Sequence, residues 1–270
     1  MKTIQFTKTL IIACLAIIIM TAGPMNLQAN NLCHENKTHQ VAPLLTVKEQ
    51  LAAAQKAGNA VFLVITSTGA KGLTELVAVA NQANKKVKKS TVVQMNRDDA
   101  ANSELVTKYG VASVQVPFVL VISPKGLAVG GYSAEQATAD MLVQLIPSPK
   151  YDEVLAAINV KKPIFIVASK KSFTDKKNAI ALCKTAAIKV SNTPVIVDVD
   201  MSDASESAFL KQIGVNMLST GTVIVVVNAA GNITGNFSGT QTAQTLADAA
   251  AKVIKSCCPS GSKSGCAPKN

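Results

Sequence analysis

Hydrophobic positions along the chain fall into two patterns. Continuous apolar runs at 61–65, 118–122 and 223–227 have strand length and no polar face, which predicts strands covered on both sides. Between them lie stretches bounded by helix caps. Thr46-Val-Lys-Glu49 reads as a capping box and Gly58 as an exit, predicting a helix over 47–57. Asp98 or Asp99 caps a helix ending near Tyr109, where Gly110 suits a left-handed exit. Ser133-Ala-Glu-Gln136 reads as a second capping box, opening the last helix of this half. The order helix, strand, helix, strand, helix, strand, strand, helix predicts an α/β unit, a mixed central sheet with helices on both faces.

The pattern then occurs again. Ala60-Val-Phe-Leu-Val-Ile-Thr-Ser67 returns as Pro163-Ile-Phe-Ile-Val-Ala-Ser-Lys170, and Ser90-Thr-Val-Val-Gln-Met-Asn96 as Asn192-Thr-Pro-Val-Ile-Val-Asp-Val-Asp200. Tyr109-Gly110-Val111 matches Ile213-Gly214-Val215, and the later turn glycines are Gly126 and Gly231; the spacing stays between 103 and 105 residues. Solenoid repeats run about 20–50 residues, so this period is duplication of a whole folded unit. The expected division is a first domain at 44–147, a second at 148–256, an N-terminal segment at 30–43 and a Cys-rich tail at 257–270.

Composition adds a compartment. Lys2 and Lys8 precede an apolar run at 10–20, then Gly23-Pro24 and Ala29, the layout of a secretory signal over residues 1–29. Eleven apolar residues are too few to span a bilayer, and no later run is longer, so the chain is expected to be exported to a periplasmic or extracellular space without a transmembrane segment. Ile11-Ile12-Ala13-Cys14 is similar to the lipobox of bacterial lipoproteins, but six more apolar residues follow, which puts Cys14 inside the signal rather than at a lipid anchor. A hydrophobic fraction of 48% with 16% charged residues supports packed cores. The net charge of +11 reads first as a solvated Lys-rich surface. One Arg, no Trp and no basic stretch interleaved with aromatics argue against nucleic acid as a partner.

Tyr109-Gly110-Val111-Ala-Ser-Val-Gln-Val-Pro117-Phe118-Val-Leu-Val-Ile, with Pro124-Lys-Gly126 after it, resembles the second half of a thioredoxin. The resemblance places Pro117 at the family's cis-proline and Val116 just before it, and it implies two tandem thioredoxin-like domains. In the second copy Thr222 falls opposite Pro117, so a trans peptide and an altered groove are expected there. Thioredoxins carry Cys-x-x-Cys after the first central strand. Here the corresponding segments are Thr66-Ser-Thr-Gly-Ala-Lys-Gly72 and Ser169-Lys-Lys-Ser-Phe-Thr174, which contain no sulfur. Hydroxyls do not exchange with disulfides, so thioredoxin chemistry is not expected at these positions. What the resemblance leaves is recognition: Thr66, Ser67, Thr68, Lys71, Val116 and Pro117 would line a groove for extended segments of other proteins.

Five cysteines follow the signal: Cys33, Cys183, Cys257, Cys258 and Cys266. Cys183 lies among Ala and Leu in an expected helix and reads as core. Cys257, Cys258 and Cys266 in the Gly/Ser/Pro-rich tail suit a soft ion such as copper or zinc, or disulfide exchange with a partner. Cys33, His34 and His39 add a thiol and all the histidine of the chain. The leading functional expectation is an exported, redox-inactive protein that binds or scaffolds envelope proteins. The alternatives are thiol exchange or metal binding through the chain ends.

Overall fold

The computed structural model describes residues 45–254, so the signal, Cys33, His34, His39, Cys257, Cys258 and Cys266 lie outside the described residues. The first half contains α1 (Val47–Lys56), β1 (Ala60–Thr66), α2 (Leu73–Lys86), β2 (Ser90–Asn96), a 3-10 turn (Ala100–Asn102), α3 (Ser103–Tyr109), β3 (Phe118–Ile122), β4 (Ala128–Ser133) and α4 (Ala139–Gln144). The second repeats it with α5 (Pro149–Asn159), β5 (Ile164–Ser169), α6 (Lys176–Ile188), β6 (Val195–Asp200), a 3-10 turn (Ala204–Glu206), α7 (Ser207–Gln212), β7 (Val223–Val227), β8 (Ile233–Ser238) and α8 (Ala243–Ala251). The sheets have the orders β2-β1-β3-β4 and β6-β5-β7-β8. In each, the first pair is parallel and the other two antiparallel. This is the tandem thioredoxin-like α/β architecture expected from the repeat.

Strand alternation divides each sheet between two cores. In the first, Val61, Leu63 and Ile65 of β1 face Leu51 of α1 and Leu105 of α3, while Phe62 and Val64 face Leu76 of α2 and Leu142 of α4. In the second, Ile164 and Ile166 pack with Val154 of α5 and Phe209 of α7, while Phe165 and Val167 pack with Cys183 of α6 and Leu246 of α8. Burial raises the Cys183 thiol to about 12, so at neutral pH it is a protonated, apolar packing group.

Local signals are mostly as read. The Thr46 capping box forms, with the Glu49 carboxylate held below its usual range by the Thr46 backbone N–H and then the hydroxyl. Asp99 caps the 3-10 turn, and Gly110 ends α3 at φ 64. Ser133 differs from the expectation. It ends β4, paired with Phe118, and the helix starts later, where the Thr138 hydroxyl accepts the Met141 N–H. Ladder pairing of a whole strand outweighs a local cap.

The two domains join at a hydrogen bond: the Lys125 N–H, in the β3–β4 turn, donates to buried Asp152 in the first turn of α5 at 3.1 Å. Behind it the start of α5 is held by buried Glu206, which accepts the Ser148 hydroxyl and, at 2.9 Å, the Lys150 N–H.

Candidate functional site

The residues singled out by sequence lie where the C-terminal end of β1 meets the N-terminal end of β3. The Val116–Pro117 peptide is cis, the one such bond among the described residues, and Pro117 is buried. The Pro117 carbonyl accepts the Ala134 N–H at 3.1 Å, which ties it to the end of β4. Among the described residues, the Val116 N–H and carbonyl make no hydrogen bond within the protein, so a donor and an acceptor are left open beside the proline.

Next to them is an open pocket of about 450 Å³, lined by Lys71, Gly72 and Glu75 at the start of α2, by Gln115, Val116 and Pro117, and by Ser133, Ala134 and Glu135. Lys71, Val116 and Pro117 are therefore brought together. Thr66, Ser67 and Thr68 are not part of the lining. The Thr68 N–H donates instead to the Asp98 carboxylate at 2.8 Å, which draws that stretch of the loop toward the β2–α3 connection.

Arg97 was not expected at the site. Its backbone N–H continues the pairing of β2 onto Thr66, and its guanidinium donates to the Val114 carbonyl at 2.6 Å, fixing the segment that leads into Val116. The available signal was compositional: it is the single arginine among 27 basic residues. A planar guanidinium reaching a backbone carbonyl is a task lysine performs less well. In the second domain the equivalent residue is Met201, buried in the core, and the counterpart of Val114 is Leu218, which stands exposed.

The second domain closes the corresponding place. Asp175, at the start of α6, occupies the position of Gly72, and Thr222 that of Pro117. The Asp175 carboxylate accepts the Thr222 hydroxyl at 2.7 Å and the Thr222 N–H at 2.9 Å. No cis bond occurs there, in line with the expectation for Thr222. The Thr222 hydroxyl, ahead of its N–H, holds Asp175 below the usual carboxylate range. A folded pKa below the unfolded one gives stability that is present above the unfolded value and lost as pH falls through the folded one. Acidification below about pH 4, the ordinary aspartate range, is therefore expected to weaken the second domain. Asp175→Ala, which strips two bonds from buried Thr222, is expected to cost about 2 kcal/mol at neutral pH. Denaturant titration across pH checks both, because the Asp175→Ala chain is expected to lose that part of the acid dependence.

Chemically the first-domain pocket offers hydrogen-bonding groups, one ammonium and two carboxylates, without a thiol or imidazole. Among the described residues, no group of three His, Cys, Asp or Glu is placed to hold a metal, and no helix is long and apolar enough to cross a membrane.

No protein-family model matches the sequence. No curated protein is significantly similar to it. Among solved structures, the chain is similar to the first two thioredoxin domains of Naumovozyma dairenensis Eps1p, at 13% identity over 81% of this chain and 99% of that chain, with a TM-score of 0.29. It is also similar to the zinc-bound form of human ERp44, at 12% identity over 75% of this chain and 57% of that chain, TM-score 0.33. A third is the NTD_N/C domain of the alkylhydroperoxide reductase AhpF of Enterococcus faecalis, at 13% identity over 75% of this chain and 96% of that one, TM-score 0.25. The chain thus spans little more than half of the ERp44 chain, and no activity passes to it from proteins this distant. By its own sheet order and strand directions, each half of the described chain is a thioredoxin-like domain, with no thiol in the loop that follows its first strand.

Proposed function

We propose that this is an exported, redox-inactive binding protein, whose first domain holds extended segments of envelope proteins beside Val116 and Pro117. The second domain serves as its support. The observation that carries this reading is the free Val116 N–H and carbonyl at the rim of an open pocket, where an added strand would satisfy both. The contrast between the copies favours it: Gly72 and Pro117 leave the pocket open, while Asp175 and Thr222 fill its counterpart with each other. The unsulfured loops support recognition over exchange, since neither copy presents a thiolate at the start of its second helix.

The test is titration with extended peptides, read by backbone NMR. Shifts are expected at Val116, Lys71 and Ala134 and absent around Thr222. Ala134→Arg, which places a long side chain in the pocket, is expected to weaken binding at least tenfold, about 1.4 kcal/mol. Peptides that bind only near Thr222, or binding unchanged by Ala134→Arg, would refute the proposal.

A further inference from the structure

One end of the second domain gathers exposed apolar side chains and lysines. It is the end at which β5 and β6 begin and β7 turns into β8, since Ile164 pairs with Val195 and with Val227, and Val227 with Ile233. Two side-chain bonds knit its loops: Asn192 Nδ2 donates to the Lys161 carbonyl at 2.7 Å, and Asn228 Nδ2 to the Lys252 carbonyl at 2.8 Å. Each bond ties two of the loops, and Pro163, Asn192, Asn228 and Val253 line one hollow where the two pairs adjoin.

Apolar side chains project from it. Val160 is 60% exposed, Ile188 87%, Ile233 44%, Val253 80% and Ile254 51%, five of the seven large hydrophobic residues that are exposed among the described ones. Scattered exposed hydrophobics need no explanation, but a gathered set marks an interaction surface. The basic residues among them are Lys161, Lys162, Lys189 and Lys252, all exposed. The four stretches that build this end, 159–163, 188–195, 227–233 and 250–254, contain no Asp or Glu. The nearest carboxylate on a flanking helix is Asp248, about one turn back along α8, where it accepts from Gln244. Duplication supplies an internal comparison. The counterpart of Ile188 in the first domain is Lys85, and that end bears Lys85, Lys86, Lys88 and Lys89 around a single Val87. Where the first domain carries Lys85, the second carries exposed Ile188.

We infer that this end of the second domain docks peripherally on an anionic lipid bilayer, with Val160, Ile188, Val253 and Ile254 entering the headgroup boundary and the four lysines facing lipid phosphates. Charge complementarity selects this partner over a second copy of the chain. A two-fold pairing through this face would set eight ammoniums, twice the four lysines of one copy, around the seam with no carboxylate among the four stretches to offset them. Apolar tips with basic rims suit the interface, where burial of side chains and attraction to acidic lipid add.

The chain has no tryptophan, so Val253→Trp supplies a unique fluorescent reporter at the tip. With the full chain, its emission is expected to shift to the blue on vesicles of equal parts phosphatidylcholine and phosphatidylglycerol, and to stay unshifted on phosphatidylcholine alone. In vesicle sedimentation, Lys161→Gln with Lys162→Gln is expected to weaken binding roughly twenty-five-fold, at about fivefold per ammonium. Lys85→Gln with Lys88→Gln, equal in charge but at the other domain, is expected to change it far less. An unshifted tryptophan on anionic vesicles, or equal losses from the two lysine pairs, would overturn the inference. So would lipid-independent dimerisation abolished by Ile188→Asp, because the face would then belong to a second copy.

Discussion

Phe62→Ala and Phe165→Ala are each expected to remove about 3–5 kcal/mol of stability, and each from its own domain. The two rings are equivalent by the repeat, lie on the central strands β1 and β5, and are fully buried. Phe62 fills the space between the sheet and the pair α2 and α4; Phe165 does the same against α6 and α8. Truncation removes the transfer energy of a ring and leaves a cavity that β1 or β5, fixed by neighbours on both sides, cannot collapse to fill. A loss of this size is a large share of the about 5–15 kcal/mol that holds an ordinary domain. Phe62→Leu, which keeps much of the volume, is expected to cost under about 1.5 kcal/mol.

Amide hydrogen exchange read by mass spectrometry separates the domains. After Phe62→Ala, protection is expected to fall in β1, β2 and β3 and to persist in β5, β6 and β7. The basis is the character of the join: a turn amide on Asp152 is a far smaller link than either pair of apolar cores. Equal loss of protection in both sheets would show that the domains open as one cooperative unit.

The architecture was legible in the sequence because both halves carry the same strand and helix patterns at a near-constant spacing. Continuous apolar runs announced strands buried on two faces, and burial of all of Val61 to Ile65 bears that out. The capping box at Thr46 was equally plain, since donor, acceptor and spacing are local. What escaped was non-local. The Ser133 box was outvoted by pairing with Phe118 across the hairpin. Arg97 carries no local pattern, yet its guanidinium holds the Val114 carbonyl, and Asp98, readable only as a candidate helix cap, takes the Thr68 N–H instead. The closure of the second groove by Asp175 needs two residues 47 positions apart to meet, and nothing in the local sequence of either signals the other. Sequence showed that Thr222 had replaced the proline; it did not show that a carboxylate had moved in to hold it.

Glu206 is the strongest example of such a long-range device, and Glu206→Ala is expected to cost about 3 kcal/mol, concentrated in the second domain. Ser148-Pro149-Lys150-Tyr151-Asp152 lacks the Glu or Gln that would complete a local capping box, and the Ser148 hydroxyl makes no cap bond to its own helix. That hydroxyl donates to Glu206 instead, and the other carboxylate oxygen takes the Lys150 N–H at 2.9 Å, so a residue 58 positions from Ser148 supplies the cap. In the first domain the equivalent position is Asn102, whose Nδ2 binds the Asn96 carbonyl at 2.8 Å, while α1 is capped by its own Thr46 and Glu49. Alanine at 206 would leave an exposed helix end, a hydroxyl and an amide without acceptors, and a void under α5. Because α5 also carries Asp152, the loss is expected to reach the junction with the β3–β4 turn and raise exchange at the Lys125 amide. Glu206→Gln keeps one carbonyl oxygen for the Lys150 N–H and is expected to recover most of the stability. Equal destabilisation by the two variants would mean that charge on Glu206, rather than its role as acceptor, secures the start of the second domain.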